Sequence, residues 1–339
     1  MIRIGLSGCG AVSERYYVPA LQALQAEGRG QLVAAFDPDH AALASICGRL
    51  PGAQACRSYA ELLAAGPELI LVASPPRWHA GQAAEALAKG VAVHCEKPLA
   101  MSAEEAATMI AAAHAARRPL TEGLVRRQFP AVRAIADLLE RGVIGPLASV
   151  EVFEGGPFDW PVSSPAYFSR AESGGGVLRD LGPHVFDLLI GWLGEPELVA
   201  YQDDAQGGVE VNAQARLAFG DVAAKVRFSR DWSRPNRFVF QGAAGRIVWT
   251  SYETDRLELI LDGAPFTSTL LLEETGGGPA ADFQGAFTNQ LRLALEGIGR
   301  ADAEGSPLDP GVGALRLIDL CYARRAPLSE PWLVNEQIA

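Results

Sequence analysis

The chain opens with an apolar segment, Ile2 to Ser7, that runs directly into Gly8-Cys9-Gly10-Ala11-Val12-Ser13 and then into the helical spacing Val18, Leu21, Leu24. Strand, glycine turn and helix in that order predict a βαβ unit and so a parallel sheet, which restricts the possible folds more than any other feature of the sequence. Gly8 permits the tight turn and Gly10 a close backbone approach, and Ala11 and Val12 open a helix whose amino terminus can receive a pyrophosphate. Ser13 replaces the third glycine and is small enough for helix to lie against strand. A second apolar segment, Gln31 to Phe36, ends in Asp37, which lies 27 residues beyond Gly10. An acid at that strand end accepts hydrogen bonds from the adenosine ribose hydroxyls and repels a 2′-phosphate. Pro38 follows where an arginine would have welcomed one. The expected cofactor is therefore NAD in preference to NADP.

The rest of the chain fits a two-domain α/β protein. Its 339 residues can fill two cores, with a boundary expected between an NAD(P)-binding domain, 1–124, and a second domain, 125–339. Strands are predicted at 2–7, 31–37, 68–73, 91–95 and 119–125. They alternate with helices near 12–25, 39–48, 58–65, 78–89, 102–117 and 130–141, so the first sheet is parallel with right-handed crossovers. After Gly145-Pro146 the pattern changes to strands at 147–153, 209–219, 222–230, 236–241, 245–251, 255–261 and 267–272, an open, largely antiparallel sheet in an α+β domain. In 209–219 the apolar positions Val209, Val211, Ala213, Ala215, Leu217 and Phe219 alternate with Glu210, Asn212, Gln214 and Arg216, giving one packed and one polar face. Helices near 281–298 and 309–325 close the chain, joined through 299–312.

Composition excludes several classes. A net charge of −11 argues against a nucleic-acid partner, because phosphate backbones are held by clustered lysine and arginine. Five cysteines without a C-x-x-C read as reduced thiols of a cytoplasmic protein, and no metal site is expected. Met1 leads straight into a strand and no apolar run approaches the ~18 residues of a bilayer span, so neither a signal peptide nor a membrane partner is expected.

Two further segments carry chemistry. Val91 to Pro98 is an apolar strand ending in Glu96-Lys97-Pro98, which puts an ammonium at the carboxyl end of a buried strand, where open α/β sheets bind ligands. Partial desolvation there lowers a lysine's pKa toward the range useful for proton transfer. Later, Phe158, Trp160, Tyr167 and Phe168 crowd a loop that ends in Gly174-Gly175-Gly176. These rings suit either a small core beneath the loop or the apolar face of a sugar. In the following helix Asp180, His184 and Asp187 share one face while Leu178, Leu181, Val185, Leu188 and Trp192 form the apolar one. Because proline is favoured in a first helical turn, Pro183 predicts that His184 lies near the helix start, with Asp180 one turn earlier or in the preceding loop, where it either fixes the imidazole's tautomer and stabilises its charged form or caps the helix beside an exposed histidine.

These segments, with Ser74-Pro75-Pro76-Arg77-Trp78-His79 and Arg127-Gln128-Phe129-Pro130, resemble the glucose-fructose oxidoreductase, inositol dehydrogenase and rhizopine-catabolism family, Gfo/Idh/MocA, over nearly the whole chain. The sequence departs from the family pattern at Ser13, at Tyr16 or Tyr17, where histidine is frequent, and at Pro76, where asparagine is frequent. The resemblance implies a nicotinamide-dependent oxidoreductase that moves a hydride to or from a hydroxyl or keto carbon of a sugar, cyclitol or nucleotide sugar. It gives 1–124 a Rossmann fold, and 125–339 substrate binding and oligomerisation. It implies a catalytic group of Lys97, Asp180 and His184, and a cofactor lined by Ser74, Pro75, His79, Glu96 and Lys97 as well as the glycine loop. Arg127 would lie near nicotinamide or substrate, with Trp160, Tyr167, Asp180 and His184 about the substrate, in a homodimer or homotetramer. Either Lys97 or His184 can serve as base. Relatives that cleave glycosides through transient oxidation by NAD, and others that act as sugar-sensing regulators, supply the alternative readings.

Overall fold

Six parallel strands form the amino-terminal sheet in the order β3-β2-β1-β4-β5-β6. They are β1 (Ile2–Ser7), β2 (Gly30–Phe36), β3 (Gln54–Cys56), β4 (Leu69–Val72), β5 (Ala92–Cys95) and β6 (Leu120–Glu122). The computed structural model describes residues 1–161, 165–264, 266–274, 278–279, 282–298 and 310–328. All four residues of β4 and of β5 are buried, as expected where helices cover both faces of a parallel sheet. Strand order reverses between β1 and β4, which leaves a crevice at their carboxyl ends. The helices on this sheet are α1 (Val18–Ala26), α2 (His40–Arg49), α3 (Tyr59–Ala64), α4 (His79–Ala88) and α5 (Ala103–Ala116), followed by α6 (Pro130–Glu140). Side chains cap three of them: Asp39 for α2, Ser58 for α3 and Ser102 for α5. Strand β3 escaped the sequence reading because three residues are too few to show periodicity.

One local irregularity lies beside the glycine turn. Ser13–Tyr17 forms a wide π-turn in which the Val18 amide reaches back to the Ser13 carbonyl. Pro19 follows at once, has no N–H to continue the ordinary ladder and crowds the turn before it.

The second sheet has nine strands in the order β14-β13-β12-β11-β7-β10-β9-β8-β17. They are β7 (Leu147–Gly155), β8 (Glu197–Asp203), β9 (Asn212–Phe219), β10 (Val222–Ser229), β11 (Arg237–Gly242), β12 (Gly245–Thr250), β13 (Arg256–Leu261), β14 (Ser268–Leu271) and β17 (Arg325–Pro327). A separate ribbon pairs β15 (Glu273–Glu274) with β16 (Gly278–Pro279). All pairings in the large sheet are antiparallel except β7 with β10 and β8 with β17. Strands β8 and β17 were not expected. In β9 the predicted alternation holds for Ala213, Ala215, Leu217 and Phe219, which are buried. Glu210, Val211 and Asn212 depart from it, since Val211 is exposed while Glu210 and Asn212 are buried. The strand begins only at Asn212, so Glu210 precedes the ladder and turns inward, where it is 2% exposed.

Four more helices complete this domain: α7 (Arg170–Ser173), α8 (Val177–Leu193), α9 (Phe283–Ile298) and α10 (Val312–Ala323). The expected connection 299–312 lies outside the described residues as far as 309. Helix α8 packs on the sheet through Phe186 against Phe228, and through Trp192 against Phe238, Phe240 and Trp249. It starts earlier than Pro183 suggested, so that proline lies inside the helix and His184 is two turns from its start. The cause is the inward Glu210: its Oε1 accepts the Gly176 and Leu178 amides at 2.9 and 3.1 Å, capping α8 from a distant segment.

The five cysteines are free thiols, and no described helix is long and apolar enough to cross a membrane. Because Phe186 is fully buried between α8 and β10, Phe186→Ala should lose about 3–5 kcal/mol of stability, read as a lower midpoint in urea unfolding.

Candidate active site

The glycine loop follows β1, the Ser74 turn β4 and the Lys97 turn β5, so all three lie along the carboxyl edge of the parallel sheet. Gly8 has φ +98°, and a Cβ there would strike the backbone of Ala73 and Ser74 at the end of β4. Gly10 is different, because a Cβ there would meet nothing within 4 Å; its bareness leaves open space before the helix. Ser13 Oγ donates to the Gly8 carbonyl at 2.7 Å, so the residue that replaces the third glycine ties the loop together. Asp37 Oδ2 accepts the Cys9 amide and Oδ1 the Asp39 amide, each at 2.7 Å. Both oxygens keep a further lone pair, so they can still accept from a diol. Cys9, Gly10, Ala11, Arg15, Asp39 and Pro161 are among the residues around a crevice of about 220 Å3 at this point. Bare glycine, helix start and diol acceptor fit a dinucleotide. Val12 turns toward the hydrophobic core.

The other expected cofactor residues divide by burial. Ser74 Oγ donates to Gln82 at 2.8 Å, and Pro75 leads into the turn Pro76–Trp78. His79 is buried, its ring nitrogens 2.9 and 2.7 Å from the Pro98 and Ser74 carbonyls, so it braces those two turns from behind. Glu96 is buried as well, accepting the Tyr17 hydroxyl and, at 3.0 Å, the Lys97 amide; burial pushes its carboxyl up.

Lys97 leaves the end of β5 through a cis bond to Pro98 and reaches α8. Its Nζ lies 2.7 Å from Asp180 Oδ1 and 3.0 Å from the Asp180 carbonyl. The other carboxylate oxygen, Oδ2, pairs with Arg230 just beyond β10. Burial lowers the Lys97 pKa to about 8, aided by the Arg230 and Arg126 cations and opposed by Glu96. His184, one turn after Asp180, is pushed well below its ordinary value by burial, then by Arg126 and Lys97, so the ring is neutral. Its Nδ1 is buried without a hydrogen-bond partner among the described residues. The expectation that Asp180 would hold this imidazole is therefore corrected. Two cations outbid a neutral ring for the carboxylate, and Asp180 orients Lys97 instead.

Arg127 and Asp187 form a two-point ion pair, with Nε 2.8 Å from Oδ2 and Nη2 on Oδ1. Arg126, which the sequence reading passed over, lies near Lys97 and His184. It is 3% exposed, pairs with fully buried Glu154 at 2.6 Å and lies 4.8 Å from the Tyr252 ring centroid. Arg126 Nη1 and Glu154 Oε2 have no hydrogen-bond partner among the described residues. Two of the loop rings separate. Trp160 stacks on Tyr16 at 6.2 Å beside the glycine loop, whereas the Tyr167 hydroxyl accepts from Arg230 at 3.0 Å. Glu122, at the end of β6, accepts the Leu99 and Gly311 amides at 3.1 and 2.7 Å, which ties the Lys97 turn to the start of α10. Arg126, Glu154, Glu122 and Arg230 come from separate elements, and no spacing in the sequence marks them as partners.

Fold and glycine turn define a dinucleotide-binding protein, and the family matches make it an oxidoreductase. Residues 2–124 match the family described as "Oxidoreductase family, NAD-binding Rossmann fold", and residues 132–248 match the "GFO/IDH/MocA C-terminal domain". The chain belongs to the GFO/IDH/MocA family. It is 30% identical over 192 residues to the rhizopine catabolism protein MocA of Rhizobium meliloti, covering 56% of either chain. It is 27% identical to the myo-inositol dehydrogenase Hyg17 of Streptomyces leeuwenhoekii over 92% of both. A 3-ketoreductase from Actinomadura kijaniata, solved with NADP and TDP-benzene, shares the fold with a TM-score of 0.85 and 22% identity, over 96% of this chain and 98% of the other.

Burial raises the Glu122 carboxyl from 4.5 to about 7. Between those values the folded protein holds a proton that the unfolded chain releases, so this group lowers stability as pH rises through that window. Glu122→Gln should remove the loss. Urea midpoints at pH about 5 and about 7.5 should fall more in the wild type than in the variant.

Proposed function

We propose that the chain is an NAD-dependent dehydrogenase or ketoreductase acting on a CH–OH group of a sugar, cyclitol or nucleotide sugar. The observation that carries this reading is the Lys97 ammonium beside Asp180, one helical turn from a neutral His184, in the turn that follows β5 of the parallel sheet. When bound, the nicotinamide accepts or returns the hydride. Gly8, Gly10, Ala11 and Val12 would cradle the pyrophosphate, Asp37 the adenosine ribose, and Ser74, Pro75, Glu96 and Lys97 the reactive end, with His79 bracing their turns. In the direction of oxidation Lys97, as the amine, takes the substrate hydroxyl proton. In reduction it returns that proton to the oxygen. His184 is a poor acceptor so close to two cations, and its role is to hydrogen-bond the reacting oxygen. Asp180 holds Lys97 against its own flexibility, Arg126, Arg127 and Tyr167 are assigned to the substrate side, and Trp160, expected there, is assigned instead to the glycine loop where it stacks on Tyr16.

Support for a polyol substrate comes from the relatives. An inositol 2-dehydrogenase of Rhizobium meliloti is 28% identical over 57% of this chain, and a 1,5-anhydro-D-fructose reductase of Ensifer adhaerens is 28% identical over 72%. The same reading assigns 1–124 to the cofactor and 125–339 to substrate and assembly, in a cytoplasmic homodimer or homotetramer. A panel of sugars, cyclitols and nucleotide sugars followed at the nicotinamide absorbance tests the activity.

Two measurements test the assignment of residues. The oxidation rate should rise with pH about a midpoint near 8, because only the amine form of Lys97 accepts a proton. Lys97→Met should cut turnover by ~10²-fold or more while retaining NAD binding, and an active Lys97→Met enzyme would remove the lysine from the mechanism. For the cofactor, Asp37 should make NAD(H) bind more tightly than NADP(H) in comparative titration. Equal or reversed affinity would mean that Asp37 faces away from the ribose.

A further inference from the structure

Arg230 is absent from every motif in the sequence, yet it completes a row of charges. Its Nη2 pairs with Asp180 Oδ2 on the side of the carboxylate away from Lys97, whose Nζ is 2.7 Å from Oδ1. Two further contacts fix the guanidinium: it donates to the Tyr167 hydroxyl at 3.0 Å, and its carbon lies 5.1 Å from the Phe158 ring centroid. Lys97, Asp180 and Arg230 are each about one fifth exposed, so water screens this row only in part.

We propose that Arg230 acts on the reaction through Asp180 and Lys97: it takes one oxygen of the carboxylate that Lys97 holds by the other, and so weakens the grip of Asp180 on the Lys97 proton, with Phe158 and Tyr167 holding Arg230 in turn. The charged and titratable groups about Lys97 are Glu96 and Glu122 from the Rossmann strands, Arg126 from the linker, Asp180 and His184 from α8, and Arg230. Removing Arg230 has two effects of the same sign. It deletes a cation that opposes the ammonium, and it leaves the whole Asp180 charge to Lys97. Both strengthen the hold of Lys97 on its proton. The consequence for turnover rests on the reading of Lys97 as proton carrier, but the consequence for Lys97 itself does not.

The test therefore reads Lys97 without a substrate. Lys89, Lys97 and Lys225 are the chain's three lysines, so trace acetylation by acetic anhydride, quantified peptide by peptide, gives the titration midpoint of each. In Arg230→Gln the Lys97 midpoint should rise by about 1 pH unit or more, while those of Lys89 and Lys225 stay put. Arg230→Lys, which keeps the charge, should restore most of the shift. If Arg230→Gln does not fold, Arg230→Met keeps the stem that packs on Phe158 and carries the same expectation. An unmoved Lys97 midpoint in a folded, charge-free variant overturns the proposal. Turnover measured on the same proteins separates the two readings. A shifted midpoint in a protein that oxidises no polyol upholds the role of Arg230 and defeats only the proposed activity; an active enzyme with an unmoved midpoint does the reverse.

Discussion

The ion pair between Lys97 and Asp180 joins the two sheets into one site. Its lysine comes from the end of a parallel strand and its aspartate from a helix lying on the other sheet, so the pair forms only when both domains are in place. A partly buried pair is costly to desolvate, and such a pair persists where further hydrogen bonds satisfy its remaining atoms. Here the Asp180 carbonyl takes a second Lys97 hydrogen bond and Arg230 takes the second carboxylate oxygen. Asp180 anchors the ammonium, while burial and the Arg230 and Arg126 cations weaken its hold on the proton.

Helix α8 is the element on which these contacts converge. One face is apolar and lies on the antiparallel sheet through Phe186 and Trp192. The other presents Asp180 to Lys97 and Asp187 to Arg127, with His184 between them. Its beginning is set by Glu210, whose carboxylate also receives the Tyr322 hydroxyl at 2.7 Å from α10. A change in the cap would therefore reach Asp180, His184 and Asp187 through the position of one rigid rod. Glu122 adds a second tie, since it fixes the backbone beyond Lys97 and the start of α10 with one carboxyl group.

Much of this was legible in order along the chain. The glycine turn, Asp37, Lys97 and the Asp180–His184 spacing are local patterns, because loops at strand ends and helix faces repeat with the period of their own backbone. The alternation of strands and helices likewise specified a parallel sheet, and the even alternation in 213–219 identified the packed face of β9. Errors arose where a distant group intervened. Pro183 looks like the first turn of a helix to any reader of its neighbours, and only Glu210, more than two dozen residues later, makes an earlier start favourable.

What the sequence alone determined is most of the longer elements, the dinucleotide turn and the identity of the chemical groups, since each depends on residues close together in the chain. The tertiary structure decided which of those groups face one another. Asp180 stands one turn from His184 in sequence but gives its carboxylate to Lys97 and Arg230, because full opposite charges attract it more strongly than a neutral imidazole does. Arg126 rather than Arg127 lies close to Lys97 and His184 because the backbone turn at 125–128 sends adjacent side chains to different partners, Glu154 in one case and Asp187 in the other.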